Sequence, residues 1–458
     1  MTEHEPAFPL PASGATLPRR LGLITATSVV VANMIGTGIF TTTGLMLGHT
    51  ESGWLVLLAW LLGGLVALAG ALSYAELATM MPHAGGEYVY LREIYGPLPG
   101  FLTGWTSFFV GFSAPVAASA VACAKYLTAA GVLRETWLAE KTAAAGIVLA
   151  LTAVHYCGLR LGARVQNLLT GLKLALLFGL VAVGFAIGRG SWDFLGPASG
   201  FWAAGRPGQL GVTLLLVMFA YSGWNAAGYI AEEVEDPART LPRSLLLGTL
   251  IVMLIYLLVN LLLFFAALPA QLRGIVPVGE VAAVQLFGPG AAAMISTLIG
   301  LALLSSLSAY VLIGPRVYYA MARDALFFRF AARVHPRFHT PGLSILAQGA
   351  CSVAMILTGT FEQLLTYIGF ALGIFPVMAV AGVFMLRRRQ PARERPYRVW
   401  GYPLTPVFFL VMMLAILAVG FVNAPKPSLI ALATVAAGMP AYWLTNWLAV
   451  RRASRSRR

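Results

Sequence analysis

Three places in the chain set chemically active groups in apolar surroundings. Lys173 stands nine residues past Arg164 in an otherwise apolar run, which is about 14 Å along a helix rising 1.5 Å per residue. An ammonium at that depth is near mid-membrane, where charge is costly and is kept for function. The bland alternative, a packing charge paired with a carboxylate, finds no acidic residue at matching depth. The second place is Asn33-Met34-Ile35-Gly36-Thr37-Gly38-Ile39-Phe40, two glycines around a threonine. The third is Phe219-Ala220-Tyr221-Ser222-Gly223-Trp224-Asn225, again a glycine beside hydrogen-bonding side chains. Close helix packing also uses such glycines, but both stretches read as helix interruptions. Bare backbone in lipid costs several kcal/mol per group, so an interruption persists only where it lines a cavity or is packed in protein. The N-terminus of a half-helix offers amides and a positive dipole to an anion, and an opposing carbonyl end offers acceptors to a cation. The two together suit a zwitterion.

The elements carrying these groups must be membrane helices. Of 458 residues, 59% are hydrophobic and 10% charged, against about 25% charged in soluble domains. A water-soluble globule is excluded, because its surface would need far more polar side chains. Apolar runs near the length of about 20 residues that a spanning helix needs predict twelve spans. They are 21–47, 54–81, 99–129, 142–161, 164–188, 208–234, 243–268, 290–322, 341–359, 363–387, 403–423 and 427–449. The expected fold class is an all-α polytopic membrane protein. The two interruptions fall in the first helix of each of two successive five-helix blocks. An odd number of spans reverses the second block, so the breaks face one another at the midplane, as in an inverted repeat with a central site. Segments 82–98 and 323–340, aromatic and basic but too short to cross, read as connectors lying at the inner surface.

A net charge of +14 could mean nucleic acid, but its distribution excludes that. With both ends inside, 23 basic residues fall on the inner side, namely Arg19, Arg20, Arg92, Arg160, Arg164, Arg239, Arg243, Arg316, Arg323, Arg329, Arg333, Arg337, Arg387, Arg388, Arg389, Arg393, Arg395, Arg398 and the arginines after Val450. Only 6 fall outside: Arg134, Lys141, Arg189, Arg206, Arg273 and Lys426. That asymmetry follows the positive-inside rule and predicts cytoplasmic termini in a cell (inner) membrane, with the clusters touching anionic lipid. Lys125, near the outer end of the third span, is expected to snorkel. Cys123, Cys157 and Cys351 show neither disulfide nor metal spacing. The polar start, Met1 to Pro18, lacks the succession of a signal peptide. No cofactor and no metal are expected.

The stretch Asn33 to Phe40 resembles the first-helix signature of the amino acid, polyamine and organocation transporter superfamily. Phe219 to Asn225, followed by Ala231-Glu232-Glu233, Asp236-Pro237 and Leu241-Pro242, resembles the sixth-helix region of its L-type amino acid transporter branch, and the cationic branch is a near relative. Ser73-Tyr74-Ala75-Glu76-Leu77, Gly85-Gly86-Glu87-Tyr88 and Pro315 to Asp324 extend the match, which covers about residues 17 to 449. The resemblance implies a LeuT-type fold of five plus five inverted helices with two appended. Its parts would be a cytoplasmic tail 1–18, repeats at 19–188 and 208–387, accessory helices at 403–449 and a basic tail 450–458. It also implies a substrate carboxylate on the amides of Ile35, Gly36, Thr37 and Gly38, and an ammonium on the carbonyls of Phe219, Ala220, Tyr221 and Ser222. Phe219 would cap the substrate from outside, Ser222 would set room for its side chain, and Trp224 and Asn225 would form pocket wall or helix support. Lys173 would replace a coupling sodium, either as a fixed charge or as a group that releases its proton during the cycle, bridging first-helix carbonyls and an eighth-helix hydroxyl from Ser305, Ser306 or Ser308. Relatives that bind a partner glycoprotein through a disulfide use a cysteine after the third helix. The loop 130–141 has none, so no disulfide-linked heavy chain is expected.

The implied activity is sodium-independent transport of amino acids by alternating access, as exchange, proton-coupled transport or facilitated diffusion, with neutral L-amino acids preferred and cationic amino acids or polyamines as the alternative. The partners are then the amino acid and the lipid bilayer. A channel would need an open file of polar residues, and an enzyme a cluster of catalytic groups at one depth; the sequence offers neither, and a non-transporting sensor remains a competitor. Glu76 and Glu232 are expected to pair with arginines such as Arg316. His155 reads as a packing residue, and Tyr74, Tyr310 and Tyr367 as possible pathway lining.

Overall fold

A computed structural model describes residues 17–456 apart from 37, 51, 196–206, 276–277, 325, 359–360 and 424, and apart from the side chains at 194, 207–209, 212, 292, 329, 361–372, 427 and 445–456. Thr37, Arg206, the tail before residue 17, and the side chains of Arg329, Tyr367 and the arginines after Val450 lie outside the described residues. What is described is helical throughout, apart from one parallel bridge between Leu21 and Val234. That is the outcome lipid demands, since a helix satisfies its own backbone.

The first expected span is two helices, α1 (Leu23–Met34) and α2 (Gly38–Thr50). There follow α3 (Gly53–Met80), α4 (Glu87–Tyr95), α5 (Pro97–Thr106), α6 (Ala114–Ala129), α7 (Trp137–Tyr156), α8 (Leu159–Ile187) and α9 (Pro207–Tyr221). The chain continues through α10 (Pro237–Ala266), α11 (Val278–Phe287), α12 (Ala291–Arg323), α13 (Gly342–Thr358), α14 (Phe361–Arg389), α15 (Leu404–Asn423) and α16 (Pro425–Ser456). Among the described residues nine segments are long and apolar enough to cross a membrane. Helices α13, α14 and α16 occupy the other three expected spans. The last runs on to Ser456, so the expected tail from residue 450 is largely helix.

Local chemistry explains the ends. Ser52 and Thr136 cap α3 and α7 by accepting from the amides of Leu55 and Ala139 at 3.4 and 3.2 Å, satisfying donors that a helix start leaves unpaired. The third expected span holds a π-helical stretch, Ser107–Ser113, between α5 and α6. Such bulges recur at functional sites, and the sequence carried no periodic signal for this one.

Two expectations gain detail. The connector 82–98 is exposed at His83, Glu93 and Pro97, while Glu87, Tyr88, Val89, Tyr90, Leu91 and Ile94 of α4 are buried in protein. Glu76 and Glu232 do pair with arginines, as expected, but Arg316 is not their partner. Arg316 is taken by Glu233, with Nε–Oε1 at 2.7 Å and Nη2–Oε2 at 3.1 Å. Glu76 instead meets Arg387 at 2.6 Å and Arg395 at 3.4 Å, and Glu232 meets Arg323 at 3.1 Å. Glu232 further accepts from the amides of Leu17 and Ala84. Folding decides these pairs, because a bidentate guanidinium needs a carboxylate facing it in space.

Candidate functional site

The two interruptions meet. A Cβ built on Gly38, the first residue of α2, would stand 2.7 Å from the Ala220 Cβ in α9, so only glycine allows this approach. At the second break α9 stops at Tyr221, turns through Ser222 to Asn225, and resumes as a 3₁₀ segment, Ala226–Glu233. Gly223 makes the turn with φ of +96°, and its own Cβ would strike Asn33 at 2.8 Å. Both features require glycine, since L side chains resist positive φ and no room remains.

The carbonyl end of α1 is accounted for group by group. Ile35 and Gly36 amides donate to Val31 and Met34 oxygens, both at 2.9 Å. The Tyr310 hydroxyl donates to the Asn33 oxygen at 3.0 Å. Tyr256 places its hydroxyl against both the Met34 oxygen and the Ala220 oxygen, the latter at 2.9 Å, and so bridges the two breaks. The Ile35 oxygen receives Lys173 Nζ and Ser306 Oγ, each at 2.6 Å; Lys173 also donates to Ser306 Oγ at 2.8 Å and approaches the Ala32 oxygen at 3.4 Å. Lys173 is 1% exposed. The Lys173 amine thus sits in a nest of carbonyl and hydroxyl oxygens, a donor set that would also suit an alkali cation. The other two serine candidates are engaged elsewhere: Ser305 with Thr170 at 3.2 Å, and Ser308 with His155 at 2.8 Å. Among the described residues no group of three metal-ligating side chains comes together.

Between the breaks lies a cavity of about 110 Å³. Gly36, Gly38, Phe219, Ala220, Ser222, Trp224 and Asn225 line it, opposite Ser107 and Gly111 of the π stretch. Trp224 is braced edge-on by Tyr74 at 4.7 Å and Phe409 at 5.6 Å. Ile35 and Tyr221 do not line it. The Ile35 side chain is buried and its carbonyl faces Lys173, while Tyr221 turns away to donate to the Trp60 oxygen at 3.0 Å. Gly38, whose first-turn amide has by position no intrahelical acceptor, borders the same space.

Sequence reasoning missed two residues here. Tyr256 lies mid-way along α10 and shows no motif. Glu87 lines the cavity from the start of α4; its signal was the Gly85-Gly86-Glu87-Tyr88 match, where Gly85 and Gly86 adopt φ of +114° and +52° to turn the chain inward.

The chain matches the family described as amino acid permease over residues 21–448. It is 32% identical to the serine/threonine exchanger SteT of Bacillus subtilis (strain 168), over 93% of this chain and 97% of that protein. It is 30% identical to Asc-type amino acid transporter 1 of Mus musculus, over 93% of this chain and 81% of the relative. Large neutral amino acids transporter small subunit 2 of Homo sapiens is 29% identical, over 94% and 81% respectively.

Proposed function

The chain belongs to the amino acid permease family, a family of transporters and not of enzymes, and from that premise we propose that it carries neutral L-amino acids across the membrane by sodium-independent alternating access. The observation that carries this reading is the pairing at the cavity of an amide end, α2 from Gly38, with a carbonyl end, α9 to Tyr221. The α-carboxylate is held at the first, near Gly36 to Gly38, and the α-ammonium at the second, near Phe219 to Ser222. The names of its relatives, a serine/threonine exchanger, an Asc-type and a large neutral amino acid transporter, agree with a neutral side chain. Lys173 holds the oxygens at the end of α1 in the role of a coupling cation. The repeats run 19–188 and 208–387, with accessory helices at 403–449, and both termini face the cytoplasm of a cell membrane. The partner glycoprotein disulfide is absent from this reading, because the loop 130–141 lacks cysteine.

One observation favours cationic substrates, the acidic Glu87 in the cavity wall. Purified protein in proteoliposomes separates the readings. Uptake of labelled serine, alanine or leucine in sodium-free buffer should saturate and should rise when the lumen holds unlabelled neutral amino acid. An absolute sodium requirement, or thermal stabilisation of the protein by arginine, lysine or polyamines alone, would overturn it.

A further inference from the structure

Glu87 is a carboxyl group that the transport reading leaves without a task. It is 5% exposed and reaches the cavity wall. Tyr74 of α3 donates to its Oε1 at 2.7 Å, Asn225 donates to the same oxygen, and Asn225 also approaches the Tyr229 hydroxyl at 3.3 Å. One carboxyl therefore ties α3, α4 and the turn after the second break together. Glu76, Glu232, Glu233 and Asp324 each meet an arginine; among the described residues Glu87 meets none.

The titratable side chains facing Glu87 are Tyr74 from α3, Tyr90 from its own helix and Tyr229 from the 3₁₀ segment. Helix α5, packed against α4, brings no charged side chain. The arginines that α12 and α14 bring near are engaged: Arg316 by Glu233, Arg323 by Glu232 and Arg387 by Glu76. On α4 itself, Arg92 is held by Asp324 and Glu93. A buried carboxylate without a cation either draws one in or takes a proton. Burial pushes Glu87 up to about 7, against the opposing pull of its hydrogen bonds from Tyr74 and Asn225.

We propose that Glu87 is a proton-binding site of the transport cavity, whose protonation loosens the turn after the second break from α3 and α4 and so speeds the transport cycle. The inference rests on the transporter reading. Above neutrality the ionised carboxyl accepts charge-assisted hydrogen bonds, about twice as strong as neutral ones, and the turn is clamped. Below neutrality the neutral acid holds it weakly. With a midpoint near 7 the neutral fraction rises from about a tenth at pH 8 to about nine-tenths at pH 6, so the rate rises up to about tenfold.

The test is exchange of a neutral amino acid by proteoliposomes at equal internal and external pH, from 6 to 8. Wild type should accelerate toward pH 6, and Glu87→Gln, fixed in the neutral form, should be flat with pH. Tyr74→Phe removes a donor to the ionised form and should move the wild-type midpoint upward, which keeps the proposal testable if Glu87→Gln does not fold. Parallel profiles in wild type and Glu87→Gln, an unmoved midpoint in Tyr74→Phe, or selective loss of arginine and lysine uptake in Glu87→Gln would each overturn it. Wild type without saturable uptake at any pH would instead sink the transporter reading beneath it.

Discussion

Lys173→Met keeps the length of the side chain and removes its charge. In the structure the ammonium donates to Ile35 O at 2.6 Å and Ser306 Oγ at 2.8 Å. Each such bond from a charged donor contributes about 1.5–3 kcal/mol, while burying the ammonium costs several kcal/mol that the variant recovers. The two effects largely cancel in overall stability, and Ser306 still donates to Ile35 O at 2.6 Å, so the fold should survive with only a small change in unfolding temperature. What is lost is the fixed position of the end of α1 at the mouth of the cavity. One charge-assisted bond is worth about 10- to 100-fold in a rate constant, and sodium-free exchange in proteoliposomes should slow by that factor. Ser308→Ala, whose hydroxyl serves His155, should stay within about twofold of wild type. Exchange at the wild-type rate by folded Lys173→Met would refute the reasoning.

Two further substitutions probe the framework. Gly38→Ala puts a Cβ 2.7 Å from Ala220 Cβ and 2.8 Å from Ala220 Cα; overpacking of this kind costs about 1–3 kcal/mol, so substrate affinity measured by thermal shift should fall about 5- to 150-fold. Glu233→Gln leaves Arg316, 1% exposed, without its counter-charge; breaking a buried pair costs about 3–5 kcal/mol, and detergent-solubilised protein should unfold many degrees earlier.

How much of this was legible in the sequence follows from which scale each feature belongs to. Apolar runs of bilayer length are one-dimensional, and nine of the expected spans coincide with described segments long and apolar enough to cross. The breaks were legible because glycines beside hydrogen-bonding side chains at mid-depth suit an interruption as well as close packing, and the structure ends helices at Met34 and Tyr221. The depth of Lys173 followed from helix rise alone. The choice among Ser305, Ser306 and Ser308 did not, since successive residues turn by about 100° around the axis and only packing says which face meets α1. Pairing was equally hidden: Glu76 and Arg387 are 311 positions apart, and nothing local marks them as neighbours. Segment 82–98 was legible as a short connector, but not the inward turn that positive-φ glycines at 85 and 86 give it, which brings Glu87 to the cavity.

The central claim is that two helix ends hold the two charges common to all amino acids. Competition for a labelled neutral amino acid bound to the purified protein addresses it most directly, using the same side chain on the intact amino acid, on the amine lacking the carboxylate and on the acid lacking the ammonium. Loss of either charged end removes one or more charge-assisted hydrogen bonds, about 1.5–3 kcal/mol each, so each truncated compound should compete at least about tenfold more weakly than the intact one. Equal competition by either truncated compound would contradict the account.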